Sequence, residues 1–375
     1  MVDKVVDTAG SVFDHAIAPR AVLRGVGAWR QALPTIAALC RRPLLLGRSS
    51  ATASLRAGLA ADLEAAGLQV RQGLLQHDCC EEDLLRLAPL AAADLPCDAL
   101  IAAGGGKVLD AGKLLAERLG VVCITVPTSA ATCAGWTALA NLYSPEGAFQ
   151  GDVALRQCPE LLVFDHDLVR QAPARTLASG IADAMAKWYE ASVSSGASGD
   201  ALVQMAVQMA RLLRDQLLLE AETALADPFS DAWVRVAEAS ALSAGLIGGL
   251  GGASCRTVAA HAVHNGLTQL QASHGHLHGE KVGVGILVQL RLEEQLGGNR
   301  LAAQARRQLL ALFRRLGLPL DLADLGLAGV SVAELQRACT FAAQPGSDLH
   351  RLPFAVGEAD LLAALVSTTS ERQKA

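Results

Sequence analysis

Five of the chain's nine histidines lie between residues 261 and 278. His261 and His264 are three residues apart, so a helix would place both rings on one face. His274, His276 and His278 follow closely. A neutral imidazole is a common metal ligand. The clustering therefore indicates a metal site, and the alternative is a patch of histidines on the surface.

Asp183 lies in a segment of mostly small and apolar residues, 180–189. Burying a carboxylate there is costly unless it is paired or binds a cation. One aspartate and two imidazoles form an open catalytic site for Zn²⁺ or Fe²⁺, because three protein ligands leave room for a substrate oxygen. The alternative for Asp183 alone is a charge near a helix N-terminus. Spacing does not decide which two of the five histidines would bind.

A glycine-rich loop precedes both of these features. Residues 99–103 form an apolar run, residues 104–106 are three glycines, and residues 107–119 have helical spacing. Glycines allow close approach to a ligand, and a helix N-terminus attracts phosphate. Leu109 stands where a G-x-G-x-x-G motif would end in glycine, and the loop is not a P-loop because no Gly-Lys-Ser/Thr sequence follows. The loop predicts phosphate binding, with a plain tight turn as the alternative.

A second loop of small residues, 126–136, follows the next apolar run. Ligands of open α/β sheets bind outside the carboxyl ends of the strands, where the two loops would lie side by side. Together they predict a dinucleotide-binding crevice.

The elements that must position these residues differ between the two halves of the chain. Strands are predicted at residues 43–47, 67–74, 99–103, 121–126 and 161–164, and helices at 51–66, 81–92 and 107–119. This alternation is typical of βαβ units and a parallel sheet. A turn at residues 145–147 indicates a short hairpin.

From residue 173 onward, long helical patterns predominate, as at residues 201–222, 231–246 and 300–316. The sequence therefore predicts an α/β domain over residues 1–172 and an all-α domain over residues 173–375. The stretch 245–252, rich in glycine, is interpreted as a loop or a site of close helix packing.

Composition excludes several classes of partner. A chain of 375 residues favours two domains, and a net charge of −5 provides no basic surface for nucleic acid or an anionic membrane. Residues 119–145 lack charge, but Pro127, Gly135 and Pro145 interrupt any spanning helix. Nine cysteines without C-x-x-C spacing, and no N-terminal targeting signal, favour a reducing cytoplasm. We also expect a homo-oligomer.

Four motifs occur in an order and at intervals that resemble the glycerol dehydrogenases of the group III, iron-containing alcohol dehydrogenase family. They are Gly-Gly-Gly-Lys-x-x-Asp-x-x-Lys at 104–113, Val-Pro-Thr at 126–128, Gly-x-x-Asp-Ala at 180–184, and His-Ala-x-His-Asn-Gly at 261–266 leading to His-Gly-Glu-Lys at 278–281. The resemblance covers residues 19–354. It implies a Rossmann-like N-terminal domain, a helical C-terminal domain as in the dehydroquinate synthase-like fold, and a divalent metal between them.

The resemblance also implies roles for individual residues. Asp183, His261 and His278 would be the metal ligands. His264 would lie behind them or face the substrate, and either His264 or a water near the metal would relay the proton. The contacts to NAD(P) would come from Gly105, Gly106, Lys107, Val108, Leu109, Asp110, Thr128, Ser129, Ala130, Ala131, Thr137, Leu139 and Tyr143.

Two positions depart from the glycerol dehydrogenase pattern. Arg48 follows a predicted strand where those enzymes carry an acid, which favours NADP over NAD; the alternative is an arginine that points to solvent. Cys133 replaces an aspartate that faces the substrate, and its surroundings resemble the hydroxycarboxylate dehydrogenases. A small 2-oxo acid is therefore the expected substrate, catalytic contacts are expected from Cys133 and His264, and glycerol is the alternative. A dehydroquinate synthase-like lyase and a non-catalytic nucleotide-binding module are further alternatives.

Overall fold

The computed structural model describes residues 15–92 and 95–371, with side chains as far as residue 368. The prediction that the N-terminus carries no targeting signal concerns residues outside the described part of the chain. The strands are β1 (Ala21–Gly25), β2 (Pro43–Gly47), β3 (Arg71–Leu74), β4 (Ala99–Gly104), β5 (Val122–Pro127), β6 (Leu139–Tyr143), β7 (Phe149–Ala154) and β8 (Leu161–Asp165). The helices of the first half are α1 (Ala28–Leu39), α2 (Ala53–Ala65), α3 (Glu81–Ala91), α4 (Gly106–Leu119) and α5 (His166–Arg170).

Six strands form one parallel sheet in the order β1-β8-β5-β4-β2-β3. Successive strand residues point to opposite faces of the sheet. Leu44 and Leu46 pack in one core with α3 and α4, whereas Leu45 packs in a second core with α1 and α2. Apolar side chains on both faces of its strands therefore bury this parallel sheet between two layers of helices.

The carboxyl ends of β4 and β5 place the two predicted loops side by side. Gly104 pairs with Pro127 at the end of the ladder, and Thr128 N donates to Gly104 O at 3.0 Å. The predicted hairpin is also confirmed, because β6 and β7 pair antiparallel on either side of the turn at residues 145–147.

The second half is helical. Its helices are α6 (Ala174–Ser195), α7 (Ala201–Ala226), α8 (Asp231–Glu238), α9 (Ala244–Gly251), α10 (Ala259–Leu267), α11 (His278–Gln295), α12 (Ala302–Arg315), α13 (Val332–Ala342) and α14 (Glu358–Glu371). One core joins α6 to α7, α8, α9 and α12, and another joins α10 to α13 and α14. Helices α6, α10 and α11 carry the site residues.

Three local features differ from the sequence-based expectations. The strand expected from residue 67 begins only at Arg71, because Gly67 adopts φ +86° at the end of α2. Strand β1 and helix α1 were not predicted, since β1 is short and only half-buried. Of the two interpretations of residues 245–252, close helix packing is correct: Gly245 lies in α9, where a Cβ would be 2.4 Å from Trp136 Cβ. Among the described residues, no helix is both long and apolar enough to cross a bilayer.

Candidate active site

A cavity of about 580 Å³ lies between the carboxyl edge of the sheet and the helical half. The loops that follow β4 and β5 line one wall, and residues from α6, α10 and α11 line the other. Such a volume lies within the range of small-molecule and cofactor sites. The cavity thus joins the predicted cofactor loops to the predicted metal ligands.

Three potential metal ligands converge on the helical wall. Asp183 comes from α6, His261 from α10, and His278 from the first position of α11. The Nε2 atoms of both histidines are 3.4 Å from Asp183 Oδ1. Asp183 Oδ1 is buried and has no hydrogen-bond partner among the described residues. A divalent cation would satisfy this carboxylate oxygen and the two nitrogens that face it.

The charges of these groups suit a cation. Burial opposes ionisation of Asp183, but Lys187 and the two histidines hold its pKa well below the usual range. Burial lowers the pKa of His261, yet Glu190 and Asp183 outweigh it and raise that pKa to about 9. His261 therefore carries a proton at neutral pH when no cation is bound, and a bound metal would displace that proton.

His264 contacts His278 and does not line the cavity. Its Nδ1 is 2.9 Å from Asn265 Oδ1, and because an amide oxygen only accepts, Nδ1 of His264 donates. His264 Nε2 then accepts from His278 Nδ1 at 3.0 Å. This chain of hydrogen bonds leaves the lone pair of His278 Nε2 directed at Asp183. His264, predicted as a catalytic residue, thus orients the ring of His278, one of the three potential metal ligands.

Glu190 orients the other imidazole. Its Oε2 accepts from His261 Nδ1 at 2.6 Å, so Nε2 is the ring nitrogen that faces Asp183. Its Oε1 accepts from the backbone N–H groups of Val258 and His261 at 2.6 and 3.0 Å, at the start of α10. One fully buried carboxylate therefore caps the helix and fixes the ring that the helix carries.

Two glycines allow the backbone contacts that hold the ligand helices in place. A Cβ on Gly279 would lie 1.9 Å from Ser179 O, and one on Gly180 would lie 1.9 Å from Ala130 O. Ser179 Oγ also accepts from Gly279 N at 3.1 Å. Helix α6 therefore packs directly against both the start of α11 and the loop that follows β5.

Most of the predicted cofactor contacts line the cavity. These residues are Arg48, Gly105, Gly106, Lys107, Val108, Asp110, Thr128, Ser129, Ala131, Thr137, Leu139 and Tyr143. Leu109 and Ala130 are the exceptions, because their side chains are buried in the sheet core and the helical core. A Cβ on Gly105 would be 3.7 Å from Ser129 Oγ, an ordinary van der Waals distance, so a methyl group there would not clash with the protein.

Asp78 holds the two cations at one end of the cofactor loop. Arg48 Nη1 is 3.0 Å from Asp78 Oδ1, and Lys107 pairs with Oδ2 of the same residue. Arg48 and Lys107 remain half-exposed, whereas Asp78 is buried. The structure therefore shows a pair of cations at the cavity edge that share one acid.

Asp110 is buried in an ion pair with Lys113, at 3.0 Å. Lys113 Nζ also donates to Thr137 O at 3.0 Å and to Leu139 O, and Asp110 Oδ2 accepts from Asn141 N. This pair fixes the first strand of the hairpin against α4. Asp110 therefore helps to shape the wall of the cavity that α4 and β6 form.

Cys133 lines the cavity near two cations that the sequence analysis did not assign. Burial raises the pKa of the Cys133 thiol, so the group is neutral. Lys187 is 4% exposed, and Nζ donates to Arg256 O at 3.4 Å. Arg256 also lines the cavity.

Comparison with known proteins places the chain in a family. A profile described as iron-containing alcohol dehydrogenase matches residues 19–166. The chain is 36% identical to a glycerol dehydrogenase of Pseudomonas putida, over 81% of this chain and 83% of that protein. It is 35% identical to hydroxycarboxylate dehydrogenase A of Escherichia coli, over 79% and 81%.

The chain belongs to the iron-containing alcohol dehydrogenase family. An uncharacterized oxidoreductase of Synechocystis is 57% identical over 79% of this chain and 77% of that protein. The crystal structure of a probable glycerol dehydrogenase from Sinorhizobium meliloti superposes with a TM-score of 0.85 at 28% identity, over 96% of this chain and 99% of that one. The predicted fold, an N-terminal α/β domain followed by a helical domain, is thus confirmed.

The sequence assigned no role to several of the residues that surround the potential metal ligands in this member of the family. Asp183, Lys187 and Glu190 occupy positions i, i+4 and i+7 of α6, and this spacing places them on one helical face. That spacing was a usable signal for Lys187 and Glu190. Arg256 follows a glycine-rich helix end and gave no comparable signal.

Proposed function

We propose that this protein is a metal-dependent, NAD(P)-linked oxidoreductase that interconverts a small 2-oxo acid and the corresponding 2-hydroxy acid. The observation that carries the proposal is the convergence of Asp183, His261 and His278 on the wall of the cavity that Gly105 and Gly106 also line. A cofactor on the glycine loop and a substrate at the three ligands would therefore share one enclosed space.

The proposed metal is Zn²⁺ or Fe²⁺, held by Asp183, His261 and His278. Such an ion supplies Lewis acidity to a substrate oxygen, and the nicotinamide accepts or donates hydride. Glu190 and His264 hold the two imidazoles in the tautomers that keep Nε2 available. The buried ion pair of Asp110 and Lys113 keeps the cofactor wall in place.

The preference for an oxo acid is proposed from Cys133. A fixed aspartate at this position would accept hydrogen bonds from a polyol but repel a substrate that carries its own carboxylate. The Cys133 thiol is neutral because burial raises its pKa. The cavity wall is therefore compatible with an anionic substrate.

For the cofactor we propose NADP in preference to NAD. Arg48 and Lys107 place two cations at the edge of the cavity. They would attract a ribose 2′-phosphate, although Asp78 between them reduces their net charge.

Glycerol dehydrogenase is the second candidate. It is favoured by the 36% identity to the Pseudomonas putida glycerol dehydrogenase, which matches the 35% to the hydroxycarboxylate dehydrogenase. Identity at this level does not separate the two substrates.

Matched assays test the proposal. Protein loaded with Zn²⁺ or with Fe²⁺ would reduce 2-oxobutyrate with NAD(P)H and, separately, oxidise glycerol with NAD(P)⁺. We expect a higher kcat/KM for the oxo acid and a depressed value in Cys133→Asp. A higher value for glycerol would overturn the substrate assignment, and no turnover of NAD(P)H with any carbonyl compound would overturn the dehydrogenase itself.

A further inference from the structure

Two cations that line the cavity, Lys187 and Arg256, form no close ion pair with an acid of the described residues, although the nearby charges of Asp183 and Glu190 raise the pKa of Lys187. Lys187 is almost fully buried, and its one hydrogen bond among the described residues is the long one to Arg256 O. The guanidinium of Arg256 makes no hydrogen bond within the described part of the chain, and its Nε is buried. A buried cation without a partner is costly. When a metal takes up the charge of Asp183, the two cations are left without a close counter-ion, and a ligand would supply that negative charge.

The other charged groups of the cavity are already accounted for. Arg48 and Lys107 pair with Asp78, Asp110 pairs with Lys113, and Asp348 pairs with Arg351. Asp152 attracts Arg256 but is exposed and forms no ion pair among the described residues. Asp183 belongs to the metal site. Only Lys187 and Arg256 thus remain available to an anion.

The charge balance of the site points the same way. Asp183 and Glu190 carry two negative charges, which a divalent cation would offset. Lys187 and Arg256 are then opposed only by the exposed Asp152, so the positive charge on this wall remains in excess. A monoanionic ligand would reduce this surplus, whereas a neutral polyol would not.

The position of Lys187 defines where the anion would lie. Lys187 follows Asp183 by four residues in α6, which is about one helical turn, or roughly 6 Å along the axis. In a 2-oxo acid the carboxylate is bonded directly to the carbonyl carbon. An anion site one turn from the metal ligands therefore fits a carboxylate next to the reacting carbon.

Cys133 explains why the two cations are free. The Cys133 thiol lies close enough to Lys187 and Arg256 to interact with both charges. An aspartate at this position would form an ion pair with the lysine and occupy it. The neutral thiol leaves the lysine available to a ligand.

We infer that Lys187 and Arg256 bind the substrate's carboxylate, with the guanidinium fork of Arg256 and the ammonium of Lys187 donating to its oxygens. This assignment rests on the proposed function and names the residues that select an acid over a neutral carbonyl compound. Charge-assisted hydrogen bonds of this kind are stronger than neutral ones, and arginine suits a planar carboxylate.

Binding is tested without turnover by titrating lactate and its neutral isostere lactamide into metal-loaded protein saturated with NADPH, by calorimetry. We expect wild type to bind lactate more tightly. Lys187→Gln and Arg256→Gln should each weaken lactate binding on the order of 10- to 100-fold, and lactamide binding by less than about threefold. Arg256→Lys should retain part of the preference because the charge is kept. Arg30→Gln, on the exposed face of α1, is the control.

The metal content of each variant is measured because Lys187 lies near Asp183, and Arg256→Gln carries the test if Lys187→Gln fails to fold. Equal losses for lactate and lactamide, or no loss for either, would overturn the inference. Tighter binding of dihydroxyacetone phosphate than of lactate would show that the two cations prefer a phosphate to a carboxylate. This result would also overturn the inference.

Turnover separates this inference from the proposed function. If 2-oxobutyrate is reduced as well by both glutamine variants as by wild type, the enzyme assignment stands and the anion site is wrong. If lactate binding depends on both cations but NAD(P)H is never oxidised, the anion site stands and the oxidoreductase is wrong.

Discussion

The two walls of the cleft are built by different means. The sheet wall presents backbone and small side chains at the ends of β4 and β5, Gly105 among them. The helical wall presents Asp183, His261 and His278, and further buried side chains hold the two histidines. We therefore expect the sheet wall to be sensitive to added atoms and the helical wall to deleted ones.

Deleting a ligand should have the largest effect. Asp183→Ala removes the carboxylate that faces both imidazoles, and loss of a Lewis acid is expected to lower kcat/KM on the order of a thousandfold or more. Metal analysis should show no bound ion. Fluorescence titration should still detect NAD(P)H binding, because the sheet wall is unchanged; loss of cofactor binding as well would show that the two walls are not independent.

The walls should also differ in their response to pH. Without metal, His261 is protonated below its pKa of about 9, and a metal must displace that proton. Metal affinity should therefore fall by about 50-fold between pH 9 and pH 7, approaching tenfold for each pH unit well below the pKa. Chelator competition measures this, with the chelator's own protonation corrected. Cofactor affinity should stay flat over the same interval, because His261 does not belong to the sheet wall. A flat metal profile would contradict the assigned protonation state of His261.

Removing only a supporting charge comes next. Glu190→Gln keeps the shape of the side chain but removes the negative charge next to His261, so metal affinity should fall about 10- to 100-fold. The matched control is Glu293→Gln, a buried glutamate of α11 that contacts Gln289 and Asn299. Equal losses in the two variants would mean that Glu190 acts only through the stability of the fold.

Adding one methyl group tests the sheet wall. Gly105→Ala should keep the melting temperature, because its Cβ meets nothing within 3.4 Å, yet raise the Kd for NAD(P)H about tenfold. Gly106→Ala is the contrasting variant, because its Cβ would be 2.9 Å from Thr132 Oγ1. This close contact should lower the melting temperature as well as the affinity for NAD(P)H. Unchanged cofactor affinity in Gly105→Ala would show that the phosphates of the cofactor do not bind at this loop.

The smallest effect is expected from a substitution at the exposed edge of the cavity, where Arg48 lies. Arg48→Ala should lower the preference for NADPH over NADH about two- to fivefold, because Arg48 is partly exposed and shares Asp78 with Lys107. Comparing kcat/KM for the two cofactors measures it. A wild-type preference for NADH would show that Arg48 points to solvent without a role.

The sequence was most informative where chemistry and spacing coincide. The cluster of histidines and the apolar setting of Asp183 predicted a metal site, and the glycine loop between a strand and a helix predicted the cofactor edge. The choice of His261 and His278 among five histidines required the resemblance. In the structure His274 Nε2 lies 2.7 Å from Thr268 O, and His276 faces Glu280, so neither reaches Asp183.

Other features depended on contacts between distant segments. Glu190 meets His261 across 71 residues of chain, and Arg256 meets Lys187 across 69. Leu109 was expected at the cofactor, but the pitch of α4 turns its side chain into the sheet core. Local pattern identifies which residues could react, whereas tertiary packing decides which of them meet.

The contact at Gly180 also bears on how the cleft could open. Helix α6 touches the loop after β5 through main-chain atoms, with Gly180 against Ala130 O, only three residues before Asp183. A relative rotation of the two halves would therefore pivot at this point. Distances near the pivot change least, so the separation between Asp183 and the cofactor loop would be preserved while the distant ends of the cleft swing apart to exchange cofactor.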